Sequence, residues 1–473
     1  MNYKILSQSP SSHFIDVEMH IQHINTSTIE LQLPAWRPGR YELQNFAKNI
    51  QSFNIYSIDN QAISFKKITK DRWLVETNEH TEIIVKYNYY ANTINAGSSY
   101  IDENTFYVNP VNLCMYVLGR IDEPCFIEVS KRKNEKIACA LPYQKASKDT
   151  ILLEAADFYE LADSPFIISK SLQVESYQVG NSNFHVWFEG NFTPDWSRLL
   201  PDFQKFTESQ IAIFGEFPQP NYHFITWVLP IAYYHGVEHR HSTMMILGPD
   251  FQDFDELYID LLGLASHELF HAWNICRIRP AELLPYDFTK ENYFETCFVA
   301  EGVTTYYGDL MLHRSGVFTD AQYQKELEIC YRRHFEQADK AAQSLLESSF
   351  DLWLDGYSAG IPDRKVSVYH KGAIAAQILD ITIRQASNNQ RSLDNVMQLL
   401  WQRFGKPFIG YTFNDYKCIC EEVAGINLDT YFAECIAGKT SLLATLNDKI
   451  SFLEMQILQN EEGNFYLQKL NLK

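Results

Sequence analysis

The segment His267-Glu268-Leu269-Phe270-His271 places two imidazoles four residues apart with a carboxylate beside the first. On a helix, residues four apart share a face, so both rings can reach one ion at about 2.0–2.1 Å from each nitrogen. Glu268 is then placed to take a proton from a water that the ion activates. The chemistry this set performs is metal-assisted hydrolysis, with zinc as the expected ion. The residues around the motif, from Ala265 to Asn274, are mostly apolar, and an unpaired His or Glu would be costly among them. A hydrolytic zinc needs a third protein ligand and one open position. Glu301, in the apolar stretch Phe298–Tyr307, is the candidate third ligand on the next helix, the alternative being a surface or helix-cap glutamate. Thr305, four residues further on, is a candidate partner for one of the ligands, and Asp309 lies eight on.

Two further stretches carry groups that such a reaction could use. Glu238 follows the strand-like run Phe224–Leu229, and Thr243–Leu247 reads as the next strand, so Glu238 falls on a turn or sheet edge facing the cleft. A carboxylate there can bind a substrate's free ammonium group. The nearby His235, His239 and His241 have the composition of a second metal cluster, but three histidines on one irregular loop are more often solvated or hydrogen-bonded. Tyr369, in Ser367–Gly372, stands at the start of a helix that ends near Ile383–Arg384. A phenol at that place could donate to the oxyanion of a tetrahedral intermediate.

The elements that must position these groups change in character along the chain. Up to about Phe166, short period-two runs such as Ile29–Leu33, Trp73–Glu76, Glu82–Tyr90 and Phe126–Val129 alternate with turn signals, which predicts an antiparallel sandwich. A second strand-rich region covers Ser171–Phe188 and Tyr222–Leu229. Helical spacing begins between Phe251 and Asn274, with Pro280 as the stop, and resumes from about Glu295 to His313, where Gly316 is placed to end it. Helices are expected over Ala321–Gln337, Ala373–Gln385 and Leu393–Phe404. The last residues predict a hairpin of Ile450–Leu458 and Asn464–Leu472.

Composition narrows the class. The chain has 473 residues with 40 Lys+Arg against 59 Asp+Glu, a net charge of −19, which argues against nucleic acid or an anionic membrane surface as a partner. No run approaches the roughly 18–20 apolar residues of a membrane span, and Met1–Phe14 lacks the apolar core of a signal peptide. Nine cysteines without a CxxC pair predict reduced thiols, and the expected location is cytoplasmic.

The motifs together resemble the glycyl aminopeptidase family of gluzincin metallopeptidases. Leu33-Pro34-Ala35-Trp36-Arg37-Pro38-Gly39-Arg40-Tyr41 is similar to the family's N-terminal LPxWxPGxY signature. Tyr159–Pro165, Gly236-Val237-Glu238-His239, His267–Asn274, Arg277–Pro280, Glu301-Gly302 and Tyr369–Gly372 follow in the family's order. The resemblance implies an α+β multidomain chain: an N-terminal antiparallel β-sandwich over 1–170, a thermolysin-like zinc catalytic domain over 171–317, a C-terminal helical bundle over 318–449 and a β-hairpin tail over 450–473. It implies one zinc ion held by His267, His271 and Glu301, with Glu268 as general base and Tyr369 on the oxyanion. Glu238 and Gly236 would contact a peptide substrate with a free N-terminus, with Gly or Ala preferred at that position. Family members continue into a PDZ domain, for which the residues after Thr440 are too few. The alternatives are an endopeptidase, a non-peptide hydrolase at the same zinc, or a non-catalytic peptide-binding protein retaining the fold.

Overall fold

The computed structural model describes residues 1–250, 254–336, 339 and 341–470. The first of its regions is built from alternation. Ile15, Val17, Met19 and Ile21 are buried on one side of the strand Phe14–Ile21, while Asp16, Glu18 and His20 face outward, as expected of a strand with one wet face. This strand belongs to a seven-stranded sheet that shares its core with two four-stranded sheets. Trp73, Val75, Phe106 and Phe166 from those smaller sheets complete the shared apolar core.

The next sheet has five strands: β1 (Gln173–Val179), β2 (Ser182–Glu189), β3 (Asn221–Val228), β4 (Tyr233–Glu238) and β5 (Ser242–Gly248). Their order is β1-β2-β3-β5-β4, so β4 is an edge strand, paired antiparallel to β5. Glu238 therefore ends an edge strand. Helix α1 (Trp196–Phe214) and helix α2 (Phe254–Phe270) pack with this sheet into the second core.

Helix α2 stops earlier than the Pro280 stop signal suggests. The chain reverses directly after Phe270: Asn274 N–H bonds Phe270 O at 3.0 Å, and Ile278 N–H bonds Trp273 O at 2.7 Å. His271 thus sits on the first residue of the closing turn. Of the predicted start, Phe251 lies outside the described residues. The helix expected from Glu295 begins instead as a π turn over Phe298–Val303 and continues as helix α3 (Thr304–Arg314), with Gly316 at φ 75° closing it. Helix α4 (Asp320–Phe335) starts with a Thr319 capping box; the expected end at Gln337 lies outside the described residues. Helix α5 (His370–Ala386) follows Tyr369, and the helix Leu393–Leu400 passes into a second π turn, Trp401–Gly405.

The hairpin is shorter than expected. Ile450 ends the helix Leu443–Ile450 because Leu446 and Ile450 are buried on its apolar face. The strands are Met455–Gln459 and Phe465–Lys469, with Leu472 outside the described residues. Gln324 donates to Leu467 O and Leu467 N–H to Glu328, so the hairpin is tied to α4. All nine cysteines are free. Among the described residues no helix is long and apolar enough to cross a membrane.

One glycine pair fixes the helices that matter most. A Cβ on Gly302, in the π turn, would lie 2.5 Å from Gly372 Cα in α5. Gly302→Ala is expected to push the two apart at a cost of about 1–3 kcal/mol. The measurement is a thermal denaturation midpoint, and an unchanged midpoint would show that the contact is not needed.

Candidate metal centre and cleft

His267 and His271 reach one face, the first from the last turn of α2 and the second from the turn that closes it. Their Nε2 atoms are 3.1 Å apart. Glu301 Oε2 stands 3.7 Å from His267 Nε2 and 3.3 Å from His271 Nε2. Ligands held tetrahedrally at 2.0–2.1 Å from one zinc would be separated by about 3.3 Å. The three distances fit that spacing. The donor chemistry fits as well, because His271 Nδ1 donates to the Asn274 carbonyl at 2.9 Å, which leaves Nε2 with a free lone pair. Carboxylates of Glu238, Glu268 and Glu301 share the space with these rings, and such a donor set favours a dication at its centre.

Electrostatics follow from this crowding. Burial raises the Glu268 carboxyl to about 8, with Glu238 and Glu301 adding to the rise and His271 opposing it. Burial also works against ionised Glu301, but His271 and His267 outweigh it and hold that carboxyl at about 2. Without an ion, burial would lower His271, yet Glu301 dominates and raises it to about 10, so its Nε2 then carries a proton that a bound cation displaces. Glu268 Oε2 is buried without a hydrogen-bond partner. A buried carboxylate oxygen left unpaired is the form a proton acceptor takes before its substrate arrives.

Helix α2 is held at its depth by small groups on both sides. Ser266 Oγ donates to Gly308 O at 2.7 Å, and a Cβ on Gly308 would sit 3.4 Å from His267 Cα. On the other side Gly236, in β4, faces Glu268: a Cβ there would lie 2.2 Å from Glu268 Oε1. The structure thus gives Gly236 a steric place, leaving room for the carboxylate beside the edge strand. Thr305 lines the cleft with its hydroxyl unpaired among the described residues, and the hydroxyl that lies beside His271 is that of its neighbour. Thr304 Oγ1 is 3.5 Å from His271 Nδ1, accepts from Asn274 Nδ2 at 2.9 Å and donates to Ala300 O at 2.6 Å. The π turn, which adds a residue to one helical turn, brings Thr304 rather than Thr305 inward.

Asn274 is the residue that sequence reasoning passed over. Its carbonyl orients His271, and its amide ties down Val299 O, Ala300 O and Thr304 Oγ1 around Glu301. Its signal was its place within the His267–Asn274 motif. Asn274→Ala is expected to weaken metal affinity about 10–100-fold, read by competition with a chelating indicator; unchanged affinity would remove Asn274 from the site.

The three ligand candidates, with Glu268, Glu238 and Tyr369, line one cleft of about 780 Å³. Tyr369, 36% exposed, stands at the residue before α5. At the Glu238 end the cleft meets the N-terminal region through the turn Arg37–Arg40. A Cβ on Gly39 would be 2.7 Å from Glu238 Oε2, and Gly39 is at φ 76°, so glycine suits that position twice over. Arg40 covers the Tyr357 ring at 4.5 Å and pairs with Glu42 at 2.7 Å. The edge strand is pinned to the same region: Tyr233 OH donates to Ile94 O and Ala96 N–H to His235 Nδ1. His239 binds Asp163 at 2.9 Å, and His241 lies 3.6 Å from Glu160. The three histidines of this stretch therefore point to separate partners and form no common metal cluster.

Two family models match the chain, the M61 peptidase N-terminal domain over residues 2–170 and the M61 glycyl aminopeptidase over 260–375. Among solved structures, the aminopeptidase N family protein from Idiomarina loihiensis is similar at 30% identity and a TM-score of 0.90, over 97% of this chain and 79% of that one. A mutant M1 zinc metallopeptidase from Deinococcus radiodurans, bound to a Tyr-Ser-Ala substrate, is similar at 13% identity and a TM-score of 0.58 over 93% of each chain, a likeness of fold alone. No curated protein matches the sequence.

Proposed function

The chain belongs to the M61 glycyl aminopeptidase family and so to the metallo-aminopeptidase hydrolases; from that premise we propose that it releases small N-terminal residues, Gly or Ala, from peptides with one zinc ion held by His267, His271 and Glu301. The observation that carries this reading is the meeting of three ligand atoms at 3.1–3.7 Å with an unpaired Glu268 oxygen and Glu238 in one cleft. Bound zinc supplies a Lewis acid that polarises the scissile carbonyl and acidifies the attacking water.

The protein's own groups do the rest. The outer edge of β4 offers backbone groups along which an extended peptide can lie. Glu238 binds the free ammonium group, and the turn at Gly39 packs directly against its carboxylate. A carboxylate that reads the free amine is what makes the cleft an aminopeptidase site. The bulk of Arg40, Tyr357 and Tyr369 around this end supports a preference for small first residues. Glu268 takes the proton of the attacking water and returns it to the leaving nitrogen. The Tyr369 phenol, neutral at physiological pH, donates to the carbonyl oxygen as it gains charge.

Tyr369→Phe is expected to lower kcat about tenfold to a hundredfold with little change in KM. This is below the largest oxyanion-donor effects, because Tyr369 keeps 36% of its surface exposed. A kcat within twofold of the parent would exclude the role. The proposal as a whole is tested by profiling the residues released from peptide mixtures with and without a chelator. Single Gly and Ala released from the N-terminus, and nothing released under chelation, is expected. Internal fragments, or release that persists under chelation, would overturn it.

A further inference from the structure

Three arginines meet at one phenyl ring away from the zinc ligands. The guanidinium carbons of Arg240, Arg277 and Arg279 lie 5.3, 4.9 and 5.3 Å from the centroid of the Phe408 ring. Arg279 also covers the Tyr286 ring at 4.2 Å. Among the described residues none of the three makes an ion pair, whereas most other arginines of this chain do. Like charges gathered in a partly buried place repel one another. Phe408 itself is held at φ 55°, an unfavourable conformation for a bulky residue, and this places its ring among the three cations.

Support of the backbone accounts for only part of the cluster. Arg277 donates to Gly405 O and Lys406 O, and Arg279 donates through Nε and Nη2 to Ile275 O and Cys276 O. Arg279 is only 6% exposed, and its Nη1 makes no hydrogen bond among the described residues. Arg240 Nε is buried without a hydrogen-bond partner among the described residues. Both side chains line a cavity of about 150 Å³ between the N-terminal region and the catalytic sheet. The two carboxylates on its wall are already engaged. Asp163 accepts from His239 Nδ1 and from Arg240 N–H, both at 2.9 Å, and Asp157 accepts from Glu160 N–H at 2.7 Å.

We propose that the cavity between Arg240, Arg279 and Phe408 is a binding site for a compact oxyanion of the phosphate class. Guanidinium groups present planar, fixed donors that match oxyanion oxygens, and three of them around one ring, against the two carboxylates of Asp157 and Asp163 on the wall, favour a multiply charged anion over a single carboxylate. The volume admits a group of phosphate size. The same volume, about 150 Å³, is too small for a nucleotide. Because Asp157, Tyr159 and Asp163 come from the N-terminal region and the arginines from beyond it, a bound anion links the two. This site is separate from the zinc chemistry and stands whether or not the peptidase reading does.

The test is calorimetric titration of inorganic phosphate into the zinc-loaded full chain, with acetate at the same ionic strength as the comparison. One phosphate per chain is expected, with acetate at least tenfold weaker. Arg240→Gln is expected to weaken phosphate at least tenfold, with Arg240→Lys in between. No phosphate binding by the parent, or the same affinity in Arg240→Gln, would overturn the proposal; the latter would place the phosphate on the metal instead. Should Arg240→Gln fail to fold, a parent crystal soaked in selenate decides. An anomalous peak within hydrogen-bond reach of Arg240 and Arg279 supports the site, and peaks only elsewhere contradict it.

Discussion

Glu268→Gln is expected to retain one zinc per chain and the parent's thermal midpoint while losing about 10⁴-fold in kcat, the upper end of what a positioned general base contributes. The substitution is nearly isosteric, and it has little to disturb. Glu268 is 4% exposed, its Oε2 has no hydrogen-bond partner, and Gly236 supplies the space beside Oε1. None of the three ligand atoms belongs to it. What the amide cannot do is hold a proton in transit between the water and the leaving nitrogen. Burial and the neighbouring Glu238 and Glu301 carboxylates raise the carboxyl of Glu268, which favours its holding a proton in transit. Zinc content by mass spectrometry and steady-state rates on an alanyl-arylamide read the two halves of the expectation. A variant that keeps most of its turnover would take Glu268 out of the mechanism, and one that loses its metal would make it structural.

Glu238→Ala is expected to raise KM for substrates with a free N-terminus about 10²–10³-fold and to leave N-acetylated substrates unchanged at their low rate. Truncating one side of a desolvated charge pair costs about 2–5 kcal/mol, and the nearby Glu268 and Glu301 are committed to the proton transfer and the metal. Gly39 closes over Glu238 so tightly that a methyl group would collide with its carboxylate. The alanine variant opens that corner, and neither Arg40, paired with Glu42, nor Tyr357 can replace the lost charge. Comparing KM for alanyl- and acetylalanyl-arylamides checks this. Equal losses on both would mean that Glu238 does not read the free amine and that the cleft is that of an endopeptidase.

How much of this was legible in the sequence depended on how local each feature is. The pair His267 and His271 was legible because four-residue spacing alone puts two side chains on one face. It holds although α2 ends at Phe270, since the closing turn keeps His271 on that face. The alternation of Ile15, Val17, Met19 and Ile21 was legible for the same reason, as one buried face decides the register. Glu301 was singled out by type and neighbourhood, but its setting was not legible: the π turn depends on Gly302 meeting Gly372, 70 residues away in the chain, and on the Asn274 amide. No helical periodicity encodes those contacts, and this is why Thr305 was expected where Thr304 stands. The arginine cluster was invisible for the same reason, because Arg240, Arg277 and Phe408 meet only after folding. The hairpin was placed early because Ile450 reads equally well in a strand or on a helix face, and only burial against its neighbours decides.

The most direct test of the account is a zinc titration of chelator-treated protein, followed by initial rates on glycyl- and alanyl-arylamides. Activity is predicted to rise linearly and to level off at one zinc per chain, with N-acetylated counterparts left uncleaved throughout. Activity that is unaffected by zinc, or that needs a second equivalent, would contradict a single ion held by His267, His271 and Glu301.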